Sequence, residues 1–253
     1  MPPPTTKTPS LSGARRTLLR NVLVLGLVTA VVAIATWPVT TRSGVNYVWS
    51  SQQIPLYEKF VDFLSRDLQL RRMAHEVTAG AVNRQDKLLR IFTWVTTHIR
   101  PAPPDVPIMD DHVLHVMIRG YGADDQIAEV FAVLAGYAGF HVRVARLEPP
   151  GHRNVFLMVA LVEDSADTYV FDPRNHVVFR DEHGRFVDVN QLIRNPELIA
   201  ASASGRIVRG VPYEQYFLGV QDAKVFSRVE AQKFWPRLKQ ELEQALNPRH
   251  GSG

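Results

Sequence analysis

The chain of 253 residues, 45% apolar and 9% aromatic, is long enough to bury one compact core with a short appendage. It contains no cysteine, which excludes disulfides, zinc–thiolate sites, iron–sulfur clusters and thiol nucleophiles. The net charge of +4 comes from residues 1–57, which hold five of the 29 basic residues and no acid; the remaining 24 basic and 25 acidic residues nearly cancel, which argues against a nucleic-acid partner.

An uncharged apolar stretch, VLVLGLVTAVVAIATWPV, covers residues 22–39. A spanning helix needs about 17–25 residues, so this stretch is sufficient. Basic residues precede it and only Arg42 follows closely, so the positive-inside rule predicts a cytoplasmic tail (1–21), a transmembrane helix (22–39) and an exported domain. A cleaved signal peptide, cut at the small-x-small triplet 33–35, is the alternative. Trp37 and the length favour a retained anchor in a single-pass, periplasmic or otherwise extracytoplasmic protein.

The exported part begins with a polar linker over residues 40–55, continues as a main domain over 56–221 and ends in a helical extension over 222–253. Within the main domain, apolar residues recur first at helical spacing. Helices are predicted at Tyr57–Leu68, at Leu88–Ile99 after Asn83, at Val113–Met117 after a possible cap at Asp110, and at Asp124–Ala138 before Gly139.

The pattern then changes to the alternation that is typical of strands. The predicted strands are His141–Leu147, Val155–Val162, Thr168–Phe171 and the hairpin pair His176–Phe179 and Arg185–Val187, with a turn at 182–184. Helical periodicity returns at Asp188–Arg194 and from Asp222 to Leu246, with an interruption at Pro236. Helices followed by antiparallel strands indicate an α+β domain.

Three segments, in this order, resemble the transglutaminase-like superfamily. RGYGADDQ at 119–126 is similar to the Gly-rich turn that places a catalytic cysteine at a helix N-terminus. NVFLMVAL at 154–161 is similar to the strand that opens with the catalytic histidine, and VFDP at 170–173 to the strand that ends in an aspartate. The resemblance covers about residues 80–200 and implies an α+β, papain-like core of helices on an antiparallel sheet, preceded here by one transmembrane helix.

The resemblance also implies which residues hold the triad positions: Ala123 for the nucleophile, Asn154 for the base and Asp172 for the group that orients the base. In this family a helix N-terminus acidifies the thiol, and a histidine exchanges its proton. A methyl group cannot attack a carbonyl, and an amide is no general base near neutral pH. The chain is therefore expected to be a degenerate, non-catalytic member.

The same cleft is expected to bind a ligand through the turn, the start of the helix and the strand opposite. Its expected binding residues are Gly120, Tyr121, Gly122, Asp124, Asp125, Gln126 and His152. His152 lies two residues before Asn154 and so on the same side of a strand, where it could supply a base. Asp124 and Asp125 could act as nucleophile or acid in some other hydrolysis, but capping of the helix is the favoured interpretation.

A second polar group, Asp111, His112 and His115, is a weak candidate for a divalent-metal site, because His112 and His115 share a helix face. Capping of the helix by an aspartate is the favoured interpretation, since the HExxH signature is lacking. No metal and no cofactor are expected.

Three functions follow. The favoured one is a membrane-anchored binding or scaffold module of a bacterial cell envelope, a pseudoenzyme whose ligand is a peptide, a glycan or an envelope protein. The second is a cysteine-independent hydrolase or transferase that uses Asp124 or Asp125 with His152, or a metal at His112 and His115. The third is a structural subunit that docks through an apolar face after Asp222, unless that face covers its own sheet; its residues are Phe226, Val229, Phe234 and Trp235.

Overall fold

The structure is a computed structural model, and it describes residues 11–43, 50–107, 112–152, 154–203 and 205–246. The chain separates into two units. One contains residues 11–42 and 51–62, and the other contains the chain from residue 63 onward.

The first unit begins with helix α1 (Leu11–Ala35), and residues 15–35 of this helix are long and apolar enough to cross a membrane. Strands β1 (Pro38–Ser43) and β2 (Ser50–Pro55) follow and form a two-stranded sheet. These two strands lie largely within residues 40–55, the range expected to be a polar linker, and their pairing satisfies backbone groups there. Lys59 donates a hydrogen bond to the carbonyl oxygen of Thr40 at 3.0 Å.

Four helices of the described chain precede the main sheet: α2 (Leu56–Thr78), α3 (Arg84–His98), α4 (Val113–Arg119) and α5 (Asp124–Tyr137). The side chain of Asn83 caps α3 by accepting from the backbone N–H of Asp86 at 2.8 Å. Every residue of α5 from Gln126 to Gly136 is buried, so this helix is the centre of the domain. Between α3 and α4, strand β3 (Arg100–Pro101) pairs in parallel with β4 (Tyr121–Gly122), which leads into α5.

Five strands of the described chain form the main sheet in the order β11-β5-β6-β7-β8, and every neighbouring pair is antiparallel. They are β5 (His141–Leu147), β6 (Leu157–Asp164), β7 (Asp167–Asp172), β8 (Val177–Val178) and β11 (Lys224–Phe226). Alternate residues face two separate cores. Val144 and Met158 pack in the core that contains α5, whereas Ala145 and Leu157 pack in the core on the other face.

The second core is closed by helices α6 (Val189–Arg194) and α7 (Pro196–Ala203), by the hairpin β9 (Ile207–Val208) and β10 (Val211–Pro212), and by a 3₁₀ segment, Tyr213–Asp222. Asp188 caps α6 by accepting from the N–H of Asn190 at 2.8 Å. Tyr213 and Tyr216 in the 3₁₀ segment are among the largest fully buried side chains of the described chain.

One helix with an interruption at Pro236 was predicted after Asp222. The chain instead forms a strand there, followed by α8 (Val229–Gln232) and α9 (Phe234–Leu246). Lys224–Phe226 pairs with β5 as an edge strand, so sheet pairing overrides the helical spacing there. Pro236 does not interrupt α9, because it lies in the first turn, where a backbone N–H has no partner within the helix.

This arrangement buries some residues of the proposed docking face and exposes others. Val229 and Phe234 are buried, whereas Trp235 is 74% exposed. A Cβ atom at Gly136 of α5 would lie 2.3 Å from Cγ1 of Val229, so α8 packs closely on α5. Val229 therefore covers the domain's own core, the alternative considered for this segment, and Phe234 is buried as well.

Candidate functional site

The turn before α5 depends on two glycines. Gly120 ends α4 with a φ of +73°, a conformation that favours glycine, and Gly122 has little room for a side chain, since a Cβ atom there would lie 3.1 Å from atoms of Gln126 and Val116. The N–H groups of Arg100 and Ala102 donate to the carbonyl oxygens of Gly120 and Gly122, both at 2.8 Å. This pairing fixes the position at which α5 begins.

Ala123 is the N-cap residue of α5. Its backbone N–H donates to Oε1 of Gln126 at 3.1 Å, which is one half of a capping box. Its methyl group has no oxygen to accept a hydrogen bond, so the other half is missing. Arg119 donates to the same Gln126 oxygen at 2.6 Å and to the carbonyl oxygen of Tyr121 at 2.8 Å. Gln126, Tyr121 and Gly120 thus stabilise the turn by accepting hydrogen bonds.

An open cleft of about 740 Å³ lies at this helix start. The helix side contributes Gly122, Ala123, Asp124 and Asp125. The remaining residues come from other elements: Pro101, Ala102, Arg146, Phe156, Met158, Arg174, Arg209, Phe226 and Arg228. Arg146 is directly opposite Met158 in the β5–β6 pair, and Phe226 is opposite Val144, so the sheet side of the cleft is the face that packs on α5.

Asp124 is held by two arginines from different segments. Arg174 Nε donates to Oδ1 at 2.8 Å, and Arg209 Nη2 donates to Oδ2 at 2.7 Å. Arg209 and Gly210 form the two-residue turn between β9 and β10, both with positive φ, +50° and +79°. The hairpin therefore carries a guanidinium group to the start of α5.

Arginines of the cleft also contact an aromatic ring and two glutamates. The guanidinium carbons of Arg146 and Arg209 lie 4.0 Å and 4.6 Å from the centre of the Phe156 ring. Arg146 Nε is 2.7 Å from Glu148 Oε1, and Arg228 Nη1 is 3.5 Å from Glu129 Oε2. The cleft therefore combines several fixed cations with apolar surface.

Asp172 is completely buried at the end of β7 and does not line the cleft. Oδ2 accepts from the Tyr213 hydroxyl at 2.7 Å and from Asn175 Nδ2 at 2.8 Å, and Oδ1 accepts from the Asn175 N–H at 2.9 Å. Burial raises the pKa of Asp172 and outweighs these hydrogen bonds, and the nearby charge of Asp124 raises it further. The Tyr213 contact ties β7 to the 3₁₀ segment, and the Asn175 contacts close the turn that follows β7.

The structure does not bring Asn154 or His152 to the cleft. Both are exposed, and Asn154 has a φ of +69° in the turn before β6, which begins only at Leu157. Phe156, two residues further on, lines the cleft instead. The sequence interpretation missed Phe156, Met158 and the four arginines. The alternation of β6 places Met158 and Ala160 with the core around α5, and extending that alternation back would have pointed to Phe156.

His112 and His115 lie close together, with 5.3 Å between ring centres. His112 is the N-cap of α4, and its Nδ1 accepts from the N–H of Leu114 at 3.3 Å. Asp110 and Asp111 lie outside the described residues. In the part of the chain that is described, no group of three or more His, Asp or Glu side chains is arranged to hold a metal ion.

Comparison with known proteins gives a family match for part of the chain. Residues 71–178 match the model of the transglutaminase-like superfamily. Similar solved structures include a candidate cysteine protease from Cytophaga hutchinsonii (14% identity, TM-score 0.37) and a candidate protease from Parabacteroides distasonis (15%, TM-score 0.35). The alignments cover 67% and 51% of this chain, and only 51% and 30% of those chains. No curated protein matches the chain.

Proposed function

The chain carries a transglutaminase-like domain of papain-like α+β fold, with one N-terminal helix long and apolar enough to cross a membrane, and we propose that it is a membrane-anchored, non-catalytic binding module of a bacterial cell envelope. The observation that carries this proposal is the composition of the cleft. A methyl group, Ala123, stands at the helix start, a phenyl ring, Phe156, lines the cleft one residue before β6, and the whole chain lacks cysteine.

The chemistry of this family needs a thiolate at the helix N-terminus and an imidazole that exchanges its proton. Neither alanine nor phenylalanine can attack a carbonyl or carry a proton. Asn154 was the base position that the sequence suggested; an amide there would be equally unable to act as a base. The proposal of lost catalysis is therefore the same whether Asn154 or Phe156 occupies the base position.

The role of Asp172 supports the same interpretation. In an active member an aspartate orients the catalytic histidine, whereas Asp172 accepts hydrogen bonds from Tyr213 and Asn175. The Tyr213 contact joins β7 to the 3₁₀ segment, and the Asn175 contact closes the turn after β7. We infer that this aspartate stabilises the fold of the module.

The test uses the full-length chain, purified in detergent and incubated with casein and with a pair of glutamine- and lysine-containing peptides. Mass spectrometry would detect cleavage, deamidation and cross-linking. We expect no turnover above that of buffer. Turnover that is lost in Asp124→Asn or Asp125→Asn and kept in Asp181→Asn, whose carboxylate is outside the cleft, would instead establish a cysteine-independent hydrolase or transferase.

The exported position of the domain is a further part of the proposal. It is supported by Arg15, Arg16 and Arg20 before the apolar stretch and by Arg42 as the nearest basic residue after it. A C-terminal fusion to an alkaline phosphatase that is active only outside the cytoplasm should be active in bacterial cells. The intact mass of the purified chain would show whether the N-terminal helix is retained, as we expect, or cleaved near residue 35.

A further inference from the structure

We propose that the cleft at the start of α5 binds an acidic peptide segment, with peptide carboxylates on the arginines and a neighbouring apolar side chain on Phe226 and Met158. This inference rests on the proposed binding function and names the class of its ligand. Four arginines and two aspartates are among the described residues that line the cleft.

Four arginines but only two aspartates of the described chain line the cleft, so guanidinium groups outnumber carboxylates there. Arg174 and Arg209 each donate one N–H to Asp124, which occupies both of its oxygens and leaves further N–H groups on both guanidinium groups. A guanidinium group carries five donors in a planar fork that matches a carboxylate. Lys224 lies opposite Arg146 in the β11–β5 pair and adds a cation on the same face of the sheet.

The attraction is local, because acids outside the cleft balance much of the charge. Glu148 lies beside Arg146, and Glu129 lies beside Arg228. Arg146 Nε nevertheless makes no hydrogen bond, since Glu148 is close but not in line with the N–H. The cleft therefore offers directed donors at short range, and these select a carboxylate more by geometry than by a large positive field.

The arginines are also held in place before a ligand arrives. Arg146 and Arg209 both lie over the ring of Phe156, and Arg209 is fixed further by its position in a tight turn and by Asp124. Side chains that are already ordered lose less entropy on binding. A carboxylate that reaches these groups would need little rearrangement of the cleft.

The apolar part of the lining favours a peptide over other acidic ligands. Phe156, Met158 and Phe226 line the sheet side, and Pro101 and Ala102 line another edge. Inorganic phosphate and acidic polysaccharides present no large apolar group to such a surface, whereas a peptide can place an apolar side chain next to a glutamate or an aspartate. The volume of about 740 Å³ is also within the usual range for ligand sites.

The test measures binding of fluorescent peptides to the full-length chain in detergent. One short, end-blocked peptide has two glutamates flanking a phenylalanine; a second has glutamines in their place, and a third has serine in place of the phenylalanine. We expect the first to bind at least about tenfold more tightly than the second, because the loss of even one of its two charge-assisted contacts weakens binding by about this factor. The third should also bind more weakly than the first.

Two variants locate the site, and a third serves as the matched control. Arg146→Gln and Arg228→Gln should each weaken binding of the glutamate peptide about tenfold. Arg143→Gln should leave it unchanged, because Arg143 is on the same strand as Arg146, pairs with Glu163 and points to the opposite face of the sheet. Melting temperatures of all three variants would show that each remains folded.

Equal binding of the glutamate and glutamine peptides, no binding of either, or unchanged binding in both Arg146→Gln and Arg228→Gln would overturn the inference. Competition by polygalacturonate or inorganic phosphate, with no effect of the phenylalanine, would assign the cleft to a glycan or a phosphate instead. Cleavage of a bound peptide, seen by mass spectrometry in the same samples, would contradict the non-catalytic function alone, because preference for glutamate is read separately from turnover.

Discussion

Two aspartates of this domain lie in contrasting surroundings. Asp172 is completely buried and is held by neutral donors, the Tyr213 hydroxyl and the Asn175 amides. Asp124 lies in an open cleft, with 27% of its side chain exposed, and is held by the guanidinium groups of Arg174 and Arg209. The resemblance to an enzyme family singled out Asp172 for catalysis, yet it is Asp124 that lines the cleft.

The difference separates a residue that holds the fold from a residue that lines the cleft. A buried carboxylate with three donors is expensive to remove, so Asp172 is expected to matter for folding whether or not a histidine needs orienting. The ion pairs of the cleft, by contrast, join partly exposed side chains and are expected to contribute little to stability. Substitutions of these charged residues should therefore leave the fold intact.

The largest expected effect is that of Asp172→Ala, because it leaves the hydroxyl of Tyr213 and the amides of Asn175 buried without an acceptor. We expect a loss of about 3 kcal/mol in the free energy of unfolding. Urea denaturation of the full-length chain, followed by tryptophan fluorescence, measures it. Asp124→Ala is the comparison and should cost less than half as much; equal losses would remove the contrast between the two sites.

The pH dependence of stability should also separate the two aspartates. Burial raises the pKa of Asp172 above its ordinary value of 3.8, so the folded state binds a proton more tightly than the unfolded state. Stability should therefore fall as pH rises from about 3.8 to the raised pKa, by up to about 1.4 kcal/mol per pH unit. Asp172→Asn should lack this fall, and the same slope in both proteins would contradict the buried, high-pKa state.

A smaller effect is expected from Tyr213→Phe, which removes one of the two donors to Oδ2 of Asp172 while Asn175 continues to donate. The expected loss is about 1–2 kcal/mol. Tyr216→Phe is the matched control, because its hydroxyl donates to the backbone carbonyl of Val208 and leaves no carboxylate behind. Comparable losses of unfolding free energy in the two variants would show that the hydrogen bond to Asp172 contributes no more to stability than one to a backbone carbonyl.

The smallest effect is expected from Asp124→Asn. Its two ion pairs join side chains that are 27%, 35% and 41% exposed, and partly exposed pairs are weakened by solvent. We expect a change of about 0.5 kcal/mol or less, which high salt reduces further. A loss above that of Tyr213→Phe would mean that the cleft pairs are structural, and the distinction between the regions would fail.

Much of the fold was predictable, because periodicity reports which residues are buried. Strand β5 has the predicted bounds, His141–Leu147, and α3 begins directly after Asn83, the residue after which a helix was predicted. The papain-like α+β class is confirmed by the family match over residues 71–178. The short strand Lys224–Phe226 was missed, because pairing with β5 depends on contact between segments far apart in the chain.

The candidate site was predictable only on its helix side. There the glycines at 120 and 122 mark a turn with a local physical cause. On the strand side, Asn154 adopts a positive φ in a turn, and Phe156 is the residue that lines the cleft. The arginines of the cleft come from four separate segments, and no spacing in the sequence links Arg146, Arg174 and Arg209 before the chain folds.

The choice between Asn154 and Phe156 as the base position can be made by adding a histidine to Ala123→Cys. Phe156→His should increase the reactivity of the introduced thiol at neutral pH, because an imidazole there would share the cleft with it. Asn154→His, in an exposed turn, should not. The opposite order would restore the register that the sequence suggested.

The most direct measurement of the central claim is the thiol pKa of Ala123→Cys against that of Ala138→Cys. Both alanines are half-buried, one at each end of α5, and the chain has no other thiol. The helix start should lower the first pKa below about 8.5, aided by the arginines that neutralise Asp124, whereas the helix end should leave the second at or above that value. Rates of alkylation by iodoacetamide across pH would give both. Equal values, or the reverse order, would contradict the claim that Ala123 stands at the position of a lost nucleophile.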